Sequence, residues 1–276
     1  MKKPIKRIAV VHDLCGIGKA ALSNIIPILS VMSVEPCAIP TIILSTHTGG
    51  FGKPVIKVNE DYIKRAMEHY KNIGISFDGI FVGYLGSIKN IKDMEECMKK
   101  SKYEGHTIVD PIFADNGRIY SNFDEDYVEA MKSMVGYADV ITPNLTEACY
   151  LSGVPYKEEL EENEIRHIAE ILGNMGAKNV VITSVCNGTN IGSAIYCTRD
   201  NDFKIYYTEK EEKKYPGTGD IFASVIAGSI MNGFSLHESC RRAADFTKEC
   251  INVSSQYDYD TKEGVILEKN LCMLMD

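Results

Sequence analysis

Pro216-Gly217-Thr218-Gly219-Asp220 is the stretch of this 276-residue chain best suited to chemistry, and the small apolar run Ile221-Phe222-Ala223-Ser224-Val225-Ile226-Ala227-Gly228 follows it at once. Two glycines around a threonine let backbone N–H groups turn toward one spot. The helix expected next adds its positive N-terminal end, so the turn suits an anion. A carboxylate beside an anion repels it, a cost that makes sense where the carboxylate takes a proton from a hydroxyl attacking phosphorus. The competing reading makes Asp220 a helix N-cap in a glycine-rich turn.

Such a turn needs a scaffold, and the rest of the chain supplies the pattern of one. Strand-like runs occur at 8–11, 37–44, 79–83, 106–109, 138–141, 179–183, 191–197 and 203–207. Helical periodicity fills 18–33, 59–73, 90–102, 123–135, 162–175, 219–233 and 236–252. Alternation of this kind implies βαβ crossovers and a mainly parallel sheet covered by helices. Thr198-Arg199-Asp200-Asn201-Asp202 leaves no room for a helix, so 191–197 and 203–207 read as an antiparallel hairpin. No linker or repeat interrupts the chain, so one domain over 1–276 is expected.

Ligands of such folds sit beyond the carboxyl ends of the strands. After the first strand, His12-Asp13-Leu14-Cys15-Gly16-Ile17-Gly18-Lys19-Ala20 approaches a phosphate-binding P-loop but has Asp13 and Ala20 where glycine and a hydroxyl residue are needed. Gly16 and Gly18 then serve a tight turn, and Asp13 either bonds a polar ligand or caps the helix. Cys15 reads as a buried, inert thiol, with reaction toward an aldehyde the alternative. Ser45-Thr46-His47-Thr48-Gly49-Gly50-Phe51-Gly52 offers hydroxyls and an imidazole to a heteroaromatic ring, or is a polar turn. Tyr84 in Gly83-Tyr84-Leu85-Gly86-Ser87 offers a ring face for stacking.

Asp110-Pro111 and Asp115 suit hydrated Mg²⁺, and equally suit turns. Asn144 and Glu147 in Thr142-Pro143-Asn144-Leu145-Thr146-Glu147 form either a helix cap with its N3 carboxylate or a pair supporting metal and phosphates. Thr183-Ser184 bonds a phosphate oxygen or satisfies the strand end.

Composition narrows the class. A net charge of −8 with no Lys/Arg cluster argues against a nucleic-acid face. Nine cysteines without a CxxC pair suggest neither a zinc site nor a disulfide framework, and point to a reducing compartment. The basic start Met1-Lys2-Lys3-Pro4-Ile5-Lys6-Arg7 precedes too short an apolar run for a signal peptide, and no run reaches membrane-spanning length. The expectation is a cytoplasmic protein with no membrane partner.

Taken together, these loops resemble the pyridoxal (pyridoxamine, pyridoxine) kinases of the ribokinase-like superfamily. The likeness runs from about Ile8 to Cys250 and rests on Pro216–Asp220 and Asp139–Glu147, with support from the Ser45–Gly49, Gly83–Ser87, Asp110-Pro111 and Thr183-Ser184 segments. It implies a three-layer ribokinase-like α/β fold with a small antiparallel edge hairpin. It further implies ATP and a B6 vitamer as substrates, Mg²⁺ with a monovalent cation as a further candidate, and a homodimer. By position, Asp220 would be the base and the amides of Gly217, Thr218 and Gly219 the anion hole. Asp110, Asp115, Asn144 and Glu147 would surround Mg²⁺ and the ATP phosphates, and Thr183 and Ser184 would touch those phosphates. His47, Thr48 and Tyr84 would line the pyridine site.

One departure stands out. Many such kinases carry a serine toward the pyridine nitrogen where this chain has Asp13. An aspartate there also resembles the hydroxymethylpyrimidine kinases, which are the first rival reading. A non-catalytic B6-binding protein is the second, and the intact GTGD turn and Asn144-x-x-Glu147 pair weigh against it.

Overall fold

The structure is a computed structural model describing residues 4–101 and 105–275. Met1-Lys2-Lys3 and the last residue of the expected 90–102 helix lie outside the described residues. In chain order the elements are β1 (Lys6–Ile17), α1 (Leu22–Val31), β2 (Val34–Thr46), β3 (Ile56–Val58), α2 (Tyr62–Asn72), β4 (Gly79–Val82), α3 (Ile88–Ser101), β5 (His106–Val109), β6 (Ala114–Asp115) and β7 (Arg118–Ile119). There follow α4 (Glu125–Val135), β8 (Val140–Ile141), α5 (Leu145–Ser152), α6 (Glu162–Asn174), β9 (Asn179–Asn187), β10 (Asn190–Cys197), β11 (Asp202–Glu209), α7 (Thr218–Met231) and α8 (Leu236–Ser255). Short 3₁₀ turns close the chain at Thr261–Glu263 and Leu271–Leu274.

Two compact units divide these elements, the first comprising Met1–Phe81, Glu104–His106 and Glu211–Asp276, the second Val82–Tyr103 and Thr107–Lys210. In the first unit the strand order is β4-β1-β2-β3, with β2 parallel to β1 and β3 antiparallel to β2. Ile8, Val10, Ile25, Ile28, Leu29 and Ile39 are fully buried in its core. The small residues of α7 allow close helix contact. A Cβ on Gly228 would lie 2.5 Å from the Met32 sulfur, so α7 meets the end of α1 closely and a larger residue there would push the Met32 side chain aside.

In the second unit the order is β5-β8-β9-β10-β11. β5, β8 and β9 are parallel, whereas β9, β10 and β11 form an antiparallel meander. Ile168, Ala169 and Leu172 of α6 pack this sheet from one side. The class is therefore α/β, with a mainly parallel sheet, flanking helices and an antiparallel edge, as expected.

The short strands β3, β6 and β7 were not expected, and three expected elements have clearly different bounds. The first strand continues past Val11 to Ile17, because its ladder with β2 resumes after a register shift between His12 and Leu14. Pro40, opposite His12, has no N–H to give the ladder at that point. The turn into α1 consequently falls at Gly18–Ala21, where Gly18, Lys19 and Ala21 all have positive φ, and the helix starts at Leu22 rather than 18. The strand expected at 179–183 likewise continues to Asn187 through Ser184, whose φ is 59°. Both the expected part of this strand and its extension pair antiparallel with β10, so the expected two-stranded hairpin has three strands.

Candidate active site

In the first unit, the glycine-rich turn opens α7 with Gly217 as N-cap at φ 79°. Asp220 is thus not the cap but the third residue of the helix. A Cβ on Gly217 would lie 2.3 Å from the Lys19 carbonyl oxygen and 2.8 Å from Asn24 Nδ2. The turn is therefore pressed against the Gly18–Ala21 segment. Asn24 Nδ2 donates to the Lys19 carbonyl at 2.6 Å, which holds that segment in turn. At Gly219 the situation is opposite, with no atom within 4 Å of an added Cβ. The first backbone bond into the helix is Ile221 N–H to the Gly217 carbonyl at 3.1 Å. The N–H groups of Thr218, Gly219 and Asp220 precede it and have no partner within the helix, which is the donor set an oxyanion needs.

Asp220 is 9 % exposed. Its Oδ2 accepts from the Ala21 N–H at 2.6 Å, at the entrance of α1. The carboxylate thus stands in the first turn of one helix and at the N-terminus of another, two positions where negative charge is favoured. Its Oδ1 lies 3.4 Å from His12 Nε2. His12 is almost completely buried and its Nδ1 is 2.7 Å from Asp13 Oδ1. Cys15 donates its thiol to Asp13 Oδ2 at 3.3 Å, and burial together with the Asp13 charge pushes that thiol far above its ordinary value. A thiol so held is inert as a nucleophile.

His47 packs edge-on against Phe51 at 5.0 Å. Its Nδ1 accepts from the Gly49 N–H at 2.9 Å, which leaves Nε2 to donate to the Lys262 carbonyl at 2.6 Å. Both ring nitrogens are engaged, so His47 shapes its loop and offers a ligand its ring rather than a hydrogen bond. Thr48 is exposed on the same loop.

The second unit gathers the acidic residues around the start of α5. Asn144 and Glu147 form a capping box, with Glu147 N–H donating to Asn144 Oδ1 at 3.0 Å and Asn144 N–H donating to Glu147 Oε2 at 2.9 Å. Glu147 Oε1 also accepts from the Phe113 N–H at 3.1 Å, and Asn144 Nδ2 donates to the Ala114 carbonyl at 2.8 Å. One helix terminus thereby fixes the loop that follows Asp110. Burial and the neighbouring Asp110 raise the Glu147 carboxyl well above the ordinary range, against the pull of its N–H donors. Asp110 is 6 % exposed and accepts from the Thr142 hydroxyl at 2.9 Å. Two buried carboxyl groups within electrostatic reach suit a hydrated divalent cation.

Asp115 does not join them. It is exposed at the Asn116-Gly117 turn of the β6–β7 hairpin and accepts from the Asn116 backbone at 2.8 Å and side chain at 2.7 Å. Among the described residues, Asp110, Asp115 and Glu147 form no cluster of three ligand atoms within 4.8 Å. Thr183 N–H donates to the Pro143 carbonyl at 2.9 Å, beside the start of α5. Exposed Ser184 takes the left-handed bulge position next to it. Tyr84 accepts from Asn122 Nδ2 at 2.7 Å and lies 5.4 Å from the Phe123 ring, so part of its stacking surface is already covered.

His12, Asn24 and Lys262 were not singled out by sequence. For His12 the available signal was its place at a strand end directly before Asp13. For Lys262, far from the loop it holds, there was none.

A glycine-rich helix start holding a buried carboxylate in one unit, and a buried acidic pair in the other, are the parts that a phosphotransferase of this α/β class needs. The family model for phosphomethylpyrimidine kinase matches residues 26–266. The chain belongs to that family, within the ribokinase-like superfamily that also holds the pyridoxal kinases. It is 32 % identical over 192 residues to the pyridoxal kinase of Dictyostelium discoideum, an alignment covering 64 % of this chain and 62 % of that one. A Bacteroides thetaiotaomicron protein crystallised with pyridoxal, and provisionally named a phosphomethylpyrimidine kinase, has a TM-score of 0.93 at 38 % identity over 98 % of this chain and 96 % of its own. For the pyridoxal kinase of Lactobacillus plantarum the TM-score is 0.90 at 31 % identity, with the same coverage.

Proposed function

We propose that this chain, working as one kinase domain over 1–276, transfers the γ-phosphoryl group of ATP to the 5′-hydroxymethyl group of a B6 vitamer: pyridoxal, pyridoxamine or pyridoxine. The observation that carries the reading is Asp220, buried in the first turn of α7 beside the open face of Gly219. Asp220 accepts the proton of the attacking hydroxyl, and the N–H groups of the turn, with Gly217, Thr218 and Gly219 as its frame, receive the charge of the transferred group. Asp110 and Glu147 would hold Mg²⁺, which would supply charge neutralisation on the phosphates. Asn144, Thr183 and Ser184 contact the ATP phosphates, Asn144 by placing the loop it caps. His47, Thr48, Tyr84 and Asp13 line the vitamer site. The protein works as a cytoplasmic homodimer.

A second reading, phosphorylation of hydroxymethylpyrimidine or its phosphate, draws support from the description of the matching family and from Asp13 in the first loop. Turnover with ATP on the three B6 vitamers and hydroxymethylpyrimidine, measured side by side, separates the two. Faster phosphorylation of the pyrimidine overturns the vitamer assignment. In the same assay Asp220→Ala should lower kcat by about 10²–10⁴-fold while vitamer binding persists, and normal turnover by that variant removes the base assignment.

A further inference from the structure

The closest charged contacts around Asp220 come from a residue the reaction above does not use. His12 lies at the register shift of β1, 1 % exposed, with Asp13 Oδ1 2.7 Å from Nδ1 and Asp220 Oδ1 3.4 Å from Nε2. An imidazole nitrogen with a bare lone pair repels a carboxylate, so a carboxylate at each nitrogen calls for a proton on each. At Nδ1 two groups of Asp13 meet: its carboxylate at 2.7 Å, which calls for a ring proton, and its backbone N–H at 3.0 Å, which calls for a lone pair; the nearer and charged carboxylate outweighs the neutral N–H dipole. The contact to Asp220 is close enough for charge, yet Nε2 has no well-aligned hydrogen-bond acceptor. A buried ring proton aimed at the base but not yet bonded to it is poised to respond to a small movement of that base. Apart from that backbone N–H, the other neighbours bring no charge to the ring. Phe81 of β4 presents a ring edge-on at 6.4 Å, and the Cys15 thiol is already given to Asp13.

We infer that His12 is a positioning residue, an imidazolium bridging Asp13 and Asp220 that orients the Asp220 carboxylate and couples it to the aspartate facing the substrate ring. The inference rests on the kinase reading for its catalytic consequence, but the bridge itself does not. Burial opposes the charge on His12, yet the hydrogen bonds and charges of Asp13 and Asp220 prevail and lift the ring to about 10. A ligand ring that shares a proton with Asp13 draws that carboxylate away from His12 and strengthens the pull of the imidazolium on Asp220. Ring recognition and base orientation thereby become one event.

Two measurements test this. Nitrogen-15 NMR of the His12 ring in the unliganded wild-type protein at pH 8 should show both nitrogens protonated, and in Asp13→Asn and Asp220→Asn the ring should titrate nearer 6.5. A singly protonated wild-type ring at pH 8 overturns the bridge. With the best substrate of the panel, His12→Gln should lower kcat by about 10–100-fold, as loss of an orienting partner does, while KM for ATP stays within about threefold. Unchanged kcat, or an equal change in kcat and KM for ATP, overturns the positioning role. Wild-type NMR needs no variant to fold. A doubly protonated ring in a protein that phosphorylates none of the panel would instead refute the kinase reading and leave the bridge standing.

Discussion

Two residues apart in one turn, Gly217 and Gly219 answer to different demands. Gly217 has a positive φ and no room for a Cβ, whereas Gly219 faces open space. Gly217→Ala should therefore destabilise the fold by about 1–3 kcal/mol. Gly219→Ala should melt like the wild type yet lose most of its turnover, because the new methyl group would enter the open space that the proposal gives to the phosphoryl group. Thermal melts beside kcat measurements check both. His12 adds a pH dependence. Its proton is held to about 10 in the folded protein against an ordinary value near 6.5. The stabilisation is complete below about 6.5 and is lost as pH rises through 10, since the folded state binds the extra proton across that window. Denaturant unfolding from pH 7 to 10 should show this fall, with a smaller slope in Asp13→Asn. Asp220 could be picked out as a candidate because the glycine turn that frames it is local in sequence. The role of His12 was not legible, because its partner Asp220 is 208 positions away along the chain.

At the scale of elements, the start of α5 carries the loop after Asp110 on one side chain. Glu147 accepts from Asn144, Phe113 and Ala114 N–H groups while buried. Glu147→Ala leaves these donors unmet and should cost about 1–3 kcal/mol, a loss readable by urea unfolding without any ligand present. The capping box was readable from Asn144-x-x-Glu147, since its parts are three residues apart. Most strands and helices were legible for a similar reason, as periodicity is local. The ends that slipped, Val11 to Ile17 and Thr183 to Asn187, are set by cross-strand partners in β2 and β10. Asp115 shows the limit in the other direction. Its carboxylate type suited a metal and a turn alike, and the structure shows it bonded to the backbone and side chain of Asn116 in the β6–β7 turn, contacts that spacing alone did not favour over a metal.

For the molecule as a whole, the edge of the first unit bears on assembly. Val55, Ile56 and Val58 around β3 are 78 %, 50 % and 50 % exposed, an apolar edge that a soluble chain ordinarily covers. A homodimer, as proposed, would give this edge a cover if its seam ran along β3. Light scattering should return twice the mass of one chain, and Ile56→Lys should shift that toward one; a wild-type monomer at working concentration would sink the proposal. Among the described residues no helix is long and apolar enough to cross a membrane.

The bond from His47 to the Lys262 carbonyl reaches further than its 2.6 Å. It ties a loop near the beginning of the chain to the 3₁₀ turn near its end, and Gly264 is wedged there against Gly18 and Lys19, with 2.8 Å between an added Cβ and the Gly18 carbonyl oxygen. The tail is thus part of the scaffold that shapes the first loop. Anyone trimming the chain after Asp260 would release His47 and the Gly18–Ala21 turn together, loosening two loops at the beginning of the chain by editing residues near its end.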